Sequence, residues 1–324
     1  MVNFPEDLGA QAFAQWRENP THWQGTVAEI AASAGFSGAK VTALPEGSNL
    51  VLALGSQAIL KIYPPPHRAQ FQSEVAGLRH LENRLSVETP KLLAQGGGNG
   101  WSWLIMSRLA GEVGSAIWGD CDRAQKATLL QDIGRLMAEV HALDSAPLAA
   151  VGPKWADFIA KQRKNCLARH RAQGLRPELL QDLARLLDET ADTIPLAGPQ
   201  VLLSGDWIPQ NFMVTQQGGL WRLSGLIDFG DLRLGHYEYD FLAPSAMMCE
   251  GNPLLLRAFF DGYFGNQRYD WPLHRQKLMA LMALHLASDF RNLVLPEWQN
   301  QVENLSDLAA LLWPAPEILR AEIG

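Results

Sequence analysis

Two opposite charges stand where the hydrophobic pattern asks for apolar side chains, and they limit how this chain can fold. Lys61 sits inside the apolar run Ile59-Leu60-Lys61-Ile62-Tyr63, on the same strand face as Ile59 and Tyr63. Glu74 lies three residues after Phe71 and four before Leu78, on the apolar stripe of a helix predicted over 68–84. Removing one member of a buried ion pair typically costs about 3–5 kcal/mol, so a fold that buries both must pack this strand against this helix and pair Lys61 with Glu74. From the residues alone a second arrangement stays open, with Lys61 reaching water along its apolar stem and Glu74 on a solvated helix edge.

The surrounding pattern is strand-rich. Lys40–Leu44, Leu50–Leu54 and Gln57–Tyr63 alternate with the turns Pro45-Glu46-Gly47-Ser48-Asn49 and Gly55-Ser56, which predicts a small antiparallel sheet. Pro64-Pro65-Pro66 ends the last of these strands, and Leu92–Ala94 and Trp101–Met106 flank a glycine-rich stretch, Gly96–Gly100, that reads as a hairpin loop. From about Gly111 the period becomes helical. Leu129, Ile133, Leu136, Met137 and Val140 form one stripe, and Leu179, Leu183, Leu186 and Leu187 another. Three short apolar segments, Val201–Leu203, Phe212–Val214 and Leu220–Ile227, interrupt the helices, the last two joined by Gln217-Gly218-Gly219.

With 324 residues, 47% of them apolar, the chain can bury a large core and divides into about two domains. The net charge of −7 and the lack of clustered Lys and Arg argue against a nucleic-acid partner and for a small molecule. Cys121, Cys166 and Cys249 are widely spaced and odd in number, which suits neither a disulfide framework nor a zinc site. The first residues lack a secretory layout and no apolar run approaches the roughly 18 residues of a membrane span, so a cytoplasmic location is expected.

Chemistry-bearing residues gather around the late strands. Ser204-Gly205-Asp206-Trp207-Ile208-Pro209-Gln210-Asn211 lies between the first two segments and Asp228-Phe229-Gly230-Asp231 follows the third, where a hairpin would return Asp228 beside Asn211. Phosphoryl transfer needs a carboxylate to orient the attacking hydroxyl and hard oxygen ligands for Mg²⁺ on the nucleotide phosphates. Asp206 suits the first need; Asn211 and Asp228 suit the second. On these letters alone a loop of turn-forming Asp and Asn residues is an equal alternative. Gly47-Ser48-Asn49 is a turn whose N–H groups can face phosphates, although such turns are usually only turns.

Other patterns carry less. Gly96–Gly100 fails the spacing of a dinucleotide-binding loop at Trp101, and the eight histidines include no H-E-x-x-H grouping. His141 and His285 lie in apolar helical segments and read as structural imidazoles, whereas His236, next to the metal loop, merits a test. Trp155, Phe158, Trp207, Tyr237 and Tyr263 are candidates to stack on an acceptor, and Asp231, Glu238, Glu250 and Asp289 to give an anionic acceptor pocket; core packing and solvated surface explain the same letters.

Taken in order, Gly47-Ser48-Asn49, Lys61, Glu74, Met106-Ser107-Arg108-Leu109-Ala110-Gly111-Glu112, Gly205-Asp206 with Asn211, and Ile227-Asp228-Phe229-Gly230-Asp231 resemble the aminoglycoside phosphotransferase and choline kinase-like superfamily. Arg135–Leu143, with Glu139 and His141, is similar to that family's helix before the substrate-binding insert, and Tyr239-Asp240 to its Tyr-Asp element. The resemblance covers about 40–245 and leaves the substrate open.

It implies an α+β, two-lobed protein-kinase-like fold, with a small antiparallel-sheet N-lobe and a larger, mainly helical C-lobe. The lobes would span 1–106, with leading helices, and 113–324, joined by a hinge at 107–112. ATP, or GTP in its place, would lie in the cleft with its base on backbone groups of Ser107 to Leu109. Asp206 would be the catalytic carboxylate, Asn211 and Asp228 the Mg²⁺ ligands, and Lys61 the phosphate ligand positioned by Glu74. Asp240, with Ser204, would support the catalytic loop. The family usually has His where Ser204 stands, which leaves a non-catalytic nucleotide-binding regulatory module as the alternative to a kinase. The helices around Trp155 to Gly174 and the C-terminal helices would wall the acceptor, with Trp155, Trp207, Asp231 and Glu238 as contacts. The expected activity is transfer of the γ-phosphate to a hydroxyl of an aminoglycoside-like, amino-alcohol or sugar-like acceptor, cationic in the first two cases. A protein kinase is less attractive, because no H-R-D triplet or A-P-E segment accompanies the metal loop.

Overall fold

The computed structural model describes residues 4–5, 8–44 and 47–316. Its contacts divide the chain into two compact units: one holds residues up to Gly111 together with Gly225–Leu232, the other Glu112–Ser224 and the residues from Arg233 onward.

In the first unit, two helices, α1 (Ala10–Glu18) and α2 (Pro20–Ser33), precede a five-stranded antiparallel sheet. Asn19 ends α1 and caps α2, its side-chain oxygen accepting from the Thr21 N–H ahead of the apolar run of α2. The strands are β1 (Val41–Leu44), β2 (Leu50–Leu54), β3 (Ala58–Tyr63), β4 (Leu92–Gly98) and β5 (Trp101–Ser107), in the order β1-β2-β3-β5-β4. One sheet face puts Leu52, Leu60, Ile62, Trp103 and Ile105 into a core with Phe13, Trp16, Trp23, Val27 and Ile30 of the leading helices. Alternation sends Lys61 and Tyr63 to the opposite face, which α3 (Arg68–Leu81) covers. The α3 helix ends earlier than its period predicts, because Glu82 leaves helical geometry and Asn83 takes φ 57°.

The glycine-rich stretch is a correction. Gly96, Gly97 and Gly98 belong to β4, paired with Trp103, Ser102 and Trp101, and only Asn99-Gly100 forms the turn. Both turn residues have positive φ, 52° and 82°, the geometry of a tight two-residue hairpin connection. Gly96 is needed in the strand because the Trp103 indole lies over it; a Cβ there would sit 2.5 Å from Trp103 Cζ2. Of the first predicted turn, Pro45 and Glu46 lie outside the described residues.

The second unit opens with β6 (Glu112–Val113) and α4 (Gly114–Trp118), followed by the long α5 (Arg123–Ala142), α6 (Trp155–Ala172) and α7 (Pro177–Glu189). Then come β7 (Val201–Leu203), β8 (Phe212–Gln217), β9 (Leu220–Leu226), whose last two residues are counted with the first unit, and β10 (Arg233–Gly235). β6, β8 and β9 form one small sheet, with β8 and β9 as the expected hairpin, and β7 pairs with β10. Helices α8 (Pro253–Phe264), α9 (Trp271–Leu284), α10 (Trp298–Gln301) and α11 (Leu305–Leu312) follow. The predicted stripes of α5 and α7 are buried throughout. No helix among the described residues is long and apolar enough to cross a membrane.

Helices α5 and α8 touch backbone to backbone. A Cβ on Gly134 would lie 2.2 Å from the Phe259 carbonyl oxygen, and one on Gly262 would lie 2.3 Å from that of Gln131. Main chain cannot swing aside as a side chain can, so Gly134→Ala and Gly262→Ala are each expected to destabilise the protein by about 1–3 kcal/mol in denaturant unfolding. Gly119→Ala, where φ is −65° and nothing lies within 4 Å of the added Cβ, is the control and is expected to leave stability unchanged or raised.

Candidate active site

The charges inside the strand and the helix stripe meet within the first unit. Lys61 Nζ lies 3.0 Å from Glu74 Oε2 and 3.1 Å from Asp228 Oδ1, and the Lys61 and Glu74 side chains are 7% and 0% exposed. The outward-reaching arrangement of Lys61 is thereby excluded. Glu74 Oε2 also accepts from the Phe229 N–H at 3.1 Å, so α3 holds both the lysine and the loop that carries Asp228. Burial opposes the Lys61 charge, but the two carboxylates outweigh it and leave its pKa raised. Burial pushes Glu74 up to about 7 against the pull of Lys61. Asp228 is also opposed by burial, yet Lys61 and the Gly230 N–H hold its pKa below the usual carboxylate range. Asp228 has φ 67° and a side chain 45% exposed, so its carboxylate is still open to a ligand.

The turn before β2 belongs to the same unit. Gly47 has φ 96°, a conformation glycine takes freely. Asn49 is held by two residues at the start of α3 and just before it. Its Nδ2 donates to Gln70 Oε1 at 3.3 Å, and its Oδ1 lies 2.8 Å from His67 Nδ1. An amide oxygen only accepts, so His67 Nδ1 carries the hydrogen. Burial, then neighbouring Arg17, lower the His67 pKa and favour this neutral form, with Asp231 opposing.

At the end of β5, the Ser107 N–H donates to the Lys91 carbonyl and its Oγ accepts from the Lys91 N–H, both at 2.9 Å. The Arg108 N–H is spent on Gln57 O. Leu109, the last of the three, is half-buried.

In the second unit, Asp240 organises the loop after β7. It accepts from the Ser204 and Gly205 N–H groups, each at 2.9 Å, and from Trp207 Nε1–H at 2.6 Å. His141 Nε2 lies 3.2 Å from the same carboxylate, and its other nitrogen meets the Tyr263 hydroxyl at 2.8 Å. His285 Nε2 reaches the Gly205 carbonyl at 3.1 Å while its Nδ1 accepts from the Ala287 N–H. Both histidines are structural, as their apolar settings suggest. Within the loop, Asn211 Nδ2 donates to the Asp206 carbonyl at 2.9 Å and to its carboxylate at 3.1 Å. Both of these bonds use the Asn211 amide nitrogen and not its oxygen. Ser204 is 2% exposed, and its Oγ has no hydrogen-bond partner among the described residues.

Several acceptor candidates are corrected by burial. Trp207 is 1% exposed, with its indole N–H on Asp240, so it braces the loop and offers no face to a ligand. Trp155, also 1% exposed, donates to Pro195 O and packs on Phe158 and Tyr239. Glu238 is fully buried against Lys277 and accepts from the Tyr269 hydroxyl at 2.7 Å. Glu250 is paired with Lys126 and Asp289 with Arg291, so these three acids do not build an anionic pocket. His236 lies 3.4 Å from Glu238, and burial lowers its pKa, which suits a packed residue more than a reacting one. Asp231 is half-buried and stays a candidate. Residue letters signalled neither the His67–Asn49–Gln70 set nor the hold of His285 on Gly205, because each joins segments far apart in the chain.

His285 gives a pH test of the loop. Burial lowers its pKa to about 4, against 6.5 for a free imidazole. A depressed value means the native state binds its proton less readily than the unfolded chain does. The stabilisation is therefore present above pH 6.5 and is lost as pH falls towards 4, by up to about 3 kcal/mol. Unfolding curves between pH 7 and 4 are expected to show this loss, and His285→Asn to flatten it.

Comparison with known proteins places the chain in a family. Residues 40–276 match the family model described as phosphotransferase enzyme family. No curated protein is significantly similar in sequence. Among solved structures, the chain is similar to the GDP and kanamycin complex of APH(2″)-IIIa, at 17% identity and TM-score 0.66 over 81% of this chain and 89% of that one. It is also similar to the ADP-bound aminoglycoside phosphotransferase APH(2″)-Ib, at 17% identity and TM-score 0.56 over 89% and 96%. A third match is the macrolide 2′-phosphotransferase MphH of Brachybacterium faecium, at 18% identity and TM-score 0.57 over 89% and 98%. With its sheet-and-helix architecture of protein-kinase type and the family match over most of its length, the chain belongs to the phosphotransferase enzyme family.

Proposed function

We propose that this phosphotransferase is a nucleotide-dependent small-molecule kinase that moves the γ-phosphate of ATP to a hydroxyl of its acceptor. The observation that carries the reading is Lys61 held by Glu74 and Asp228. An ammonium has three N–H donors and two are spent on carboxylates, which leaves one for a phosphate oxygen. The half-exposed Asp228 and the amide oxygen of Asn211 are hard donors that fit Mg²⁺, which takes one or two protein oxygens and completes its shell with phosphate and water. Among the described residues no cluster of three or more His, Cys, Asp or Glu forms a metal cage, in keeping with a metal that arrives with the nucleotide. Mg²⁺, when bound, neutralises phosphate charge and orients the γ-phosphoryl group.

In this reading Gly47, Ser48 and Asn49 turn backbone N–H groups to the phosphates. Ser107 and Leu109 border the base; with the Ser107 and Arg108 N–H groups already spent, Leu109 is the donor. Asp206, steadied by Asn211, orients the acceptor hydroxyl. As the acceptor oxygen bonds to the γ-phosphorus, the bond to the β–γ bridging oxygen breaks, ADP leaves and the hydroxyl proton passes to the Asp206 carboxylate. Residues 107–112 act as a hinge between a nucleotide-binding part, 1–106, and a helical part, 113–324, from which 225–232 returns to the first unit. Similar proteins are described with GDP or ADP, so GTP is tested beside ATP. The GDP complex also carries kanamycin and another similar protein is named for macrolides, which makes aminoglycosides, macrolides, amino-alcohols and sugars the first acceptors to try. The helices around 155–174 and the C-terminal helices wall that acceptor, with Asp231 as a contact. Use of ATP fits a cytoplasmic enzyme.

Against the binder-only alternative stands the bracing of the catalytic loop, which runs through Asp240, Trp207 and His285 and does not use the residue-204 side chain. Asp206→Asn is expected to lower phosphoryl transfer by about 10²–10⁴-fold while nucleotide binding persists. Lys61→Ala is expected to weaken nucleotide binding itself. Product formation across the acceptor panel and nucleotide titrations check both; transfer undiminished in Asp206→Asn would remove the proposed role.

A further inference from the structure

Helix α1 lies outside the part of the chain that matches the family, which starts at residue 40, yet it grips the turn proposed to hold the phosphates. Arg17, in its last turn, donates from Nη1 to the Gly47 carbonyl at 2.6 Å, with a longer contact of 3.5 Å to the Asn49 carbonyl. The main chain at Arg17 is held in turn, because Trp23 Nε1–H donates to the Arg17 carbonyl at 3.0 Å. One helical turn earlier, the Phe13 ring meets His67 edge-on at 5.9 Å, and His67 is the residue that donates to the Asn49 side chain. Phe13 and Trp16 are themselves buried against Trp101 of β5. The turn is thus held on its main-chain carbonyls from α1 and on its Asn49 side chain from His67 and Gln70.

We propose that Arg17 is a positioning residue for the nucleotide: it draws the carbonyls of Gly47 and Asn49 to the α1 side and so presets the N–H groups of the turn for phosphate. Carbonyl dipoles facing a phosphate repel it, and a guanidinium that occupies them removes that repulsion before the ligand arrives. The cation also stands close enough to the turn to favour anionic ligands there. This rests on the nucleotide-binding reading above. It adds to it that the leading helix, and not only the shared family part, sets nucleotide affinity.

The test compares wild type, Arg17→Met, which keeps the apolar stem, and Arg17→Lys, which keeps the charge on a single donor nitrogen. MgADP is the probe, titrated by calorimetry, with amide hydrogen exchange read at residues 47–49 and KM measured separately for ATP and for an accepted hydroxyl compound. Arg17→Met is expected to weaken MgADP binding about tenfold, to raise the KM for ATP but not for the acceptor, and to speed exchange at the turn. Arg17→Lys is expected to recover part of each. If wild type binds MgADP and Arg17→Met, folded by circular dichroism, binds it within twofold with unchanged exchange, the proposal is overturned while the kinase reading stands. A wild type that binds none of MgADP, MgATP and MgGDP overturns both.

Discussion

A lysine inside a β-strand and a glutamate inside a helix stripe have to find each other, and the first unit is arranged around that need. Pairing them joins β3 to α3, and the same glutamate oxygen takes the Phe229 N–H, which brings residues 225–232 into the unit. Neither charge is satisfied in full. Among the described residues, Glu74 keeps a buried oxygen without a hydrogen-bond partner, and Lys61 has two carboxylate contacts for its three N–H donors. A fold selected only for stability does better with apolar residues of similar volume at such positions. The pair makes sense as a preset cationic site whose remaining valence belongs to a ligand.

Asp240 plays the matching part in the second unit. One buried carboxylate accepts two main-chain N–H groups and an indole N–H, with His141 alongside, and thereby shapes the loop that carries Asp206 and Asn211. Its exposure is 2%, so these hydrogen bonds work in a low-dielectric setting where they are strong and costly to lose. The side chain of residue 204 takes no part in this scheme. Replacement of the family's histidine by Ser204 is therefore compatible with an intact loop, since its backbone N–H, and not its side chain, is what Asp240 holds.

Reading the residues in order was sufficient for the sheet, for the helical stripes of α5 and α7, and for the Lys61–Glu74 pair, because each follows from a local period and a burial rule. It failed where conformation depends on a distant neighbour. Gly96–Gly98 look like a loop until Trp103, on the next strand, is seen to need the space above Gly96. Trp207 and Trp155 look like ligand-stacking aromatics, but their indole N–H groups are taken by Asp240 and Pro195. Glu238 looks like an exposed acid until Lys277 and Tyr269, from later segments, close around it. Asp240 as the loop's brace came from the family resemblance, since no periodicity marks a carboxylate that works through main-chain N–H groups.

The account stands on Lys61 being a buried, permanently charged anchor for phosphate. Nitrogen-detected NMR of ¹⁵N-lysine protein, with Lys61→Met to assign the signal, reads this at the ammonium itself. The account predicts a Lys61 resonance that stays in the protonated form well past the ordinary lysine pKa of about 10.4 and moves when MgADP is added. A Lys61 signal that titrates like a surface lysine and ignores the nucleotide would contradict it.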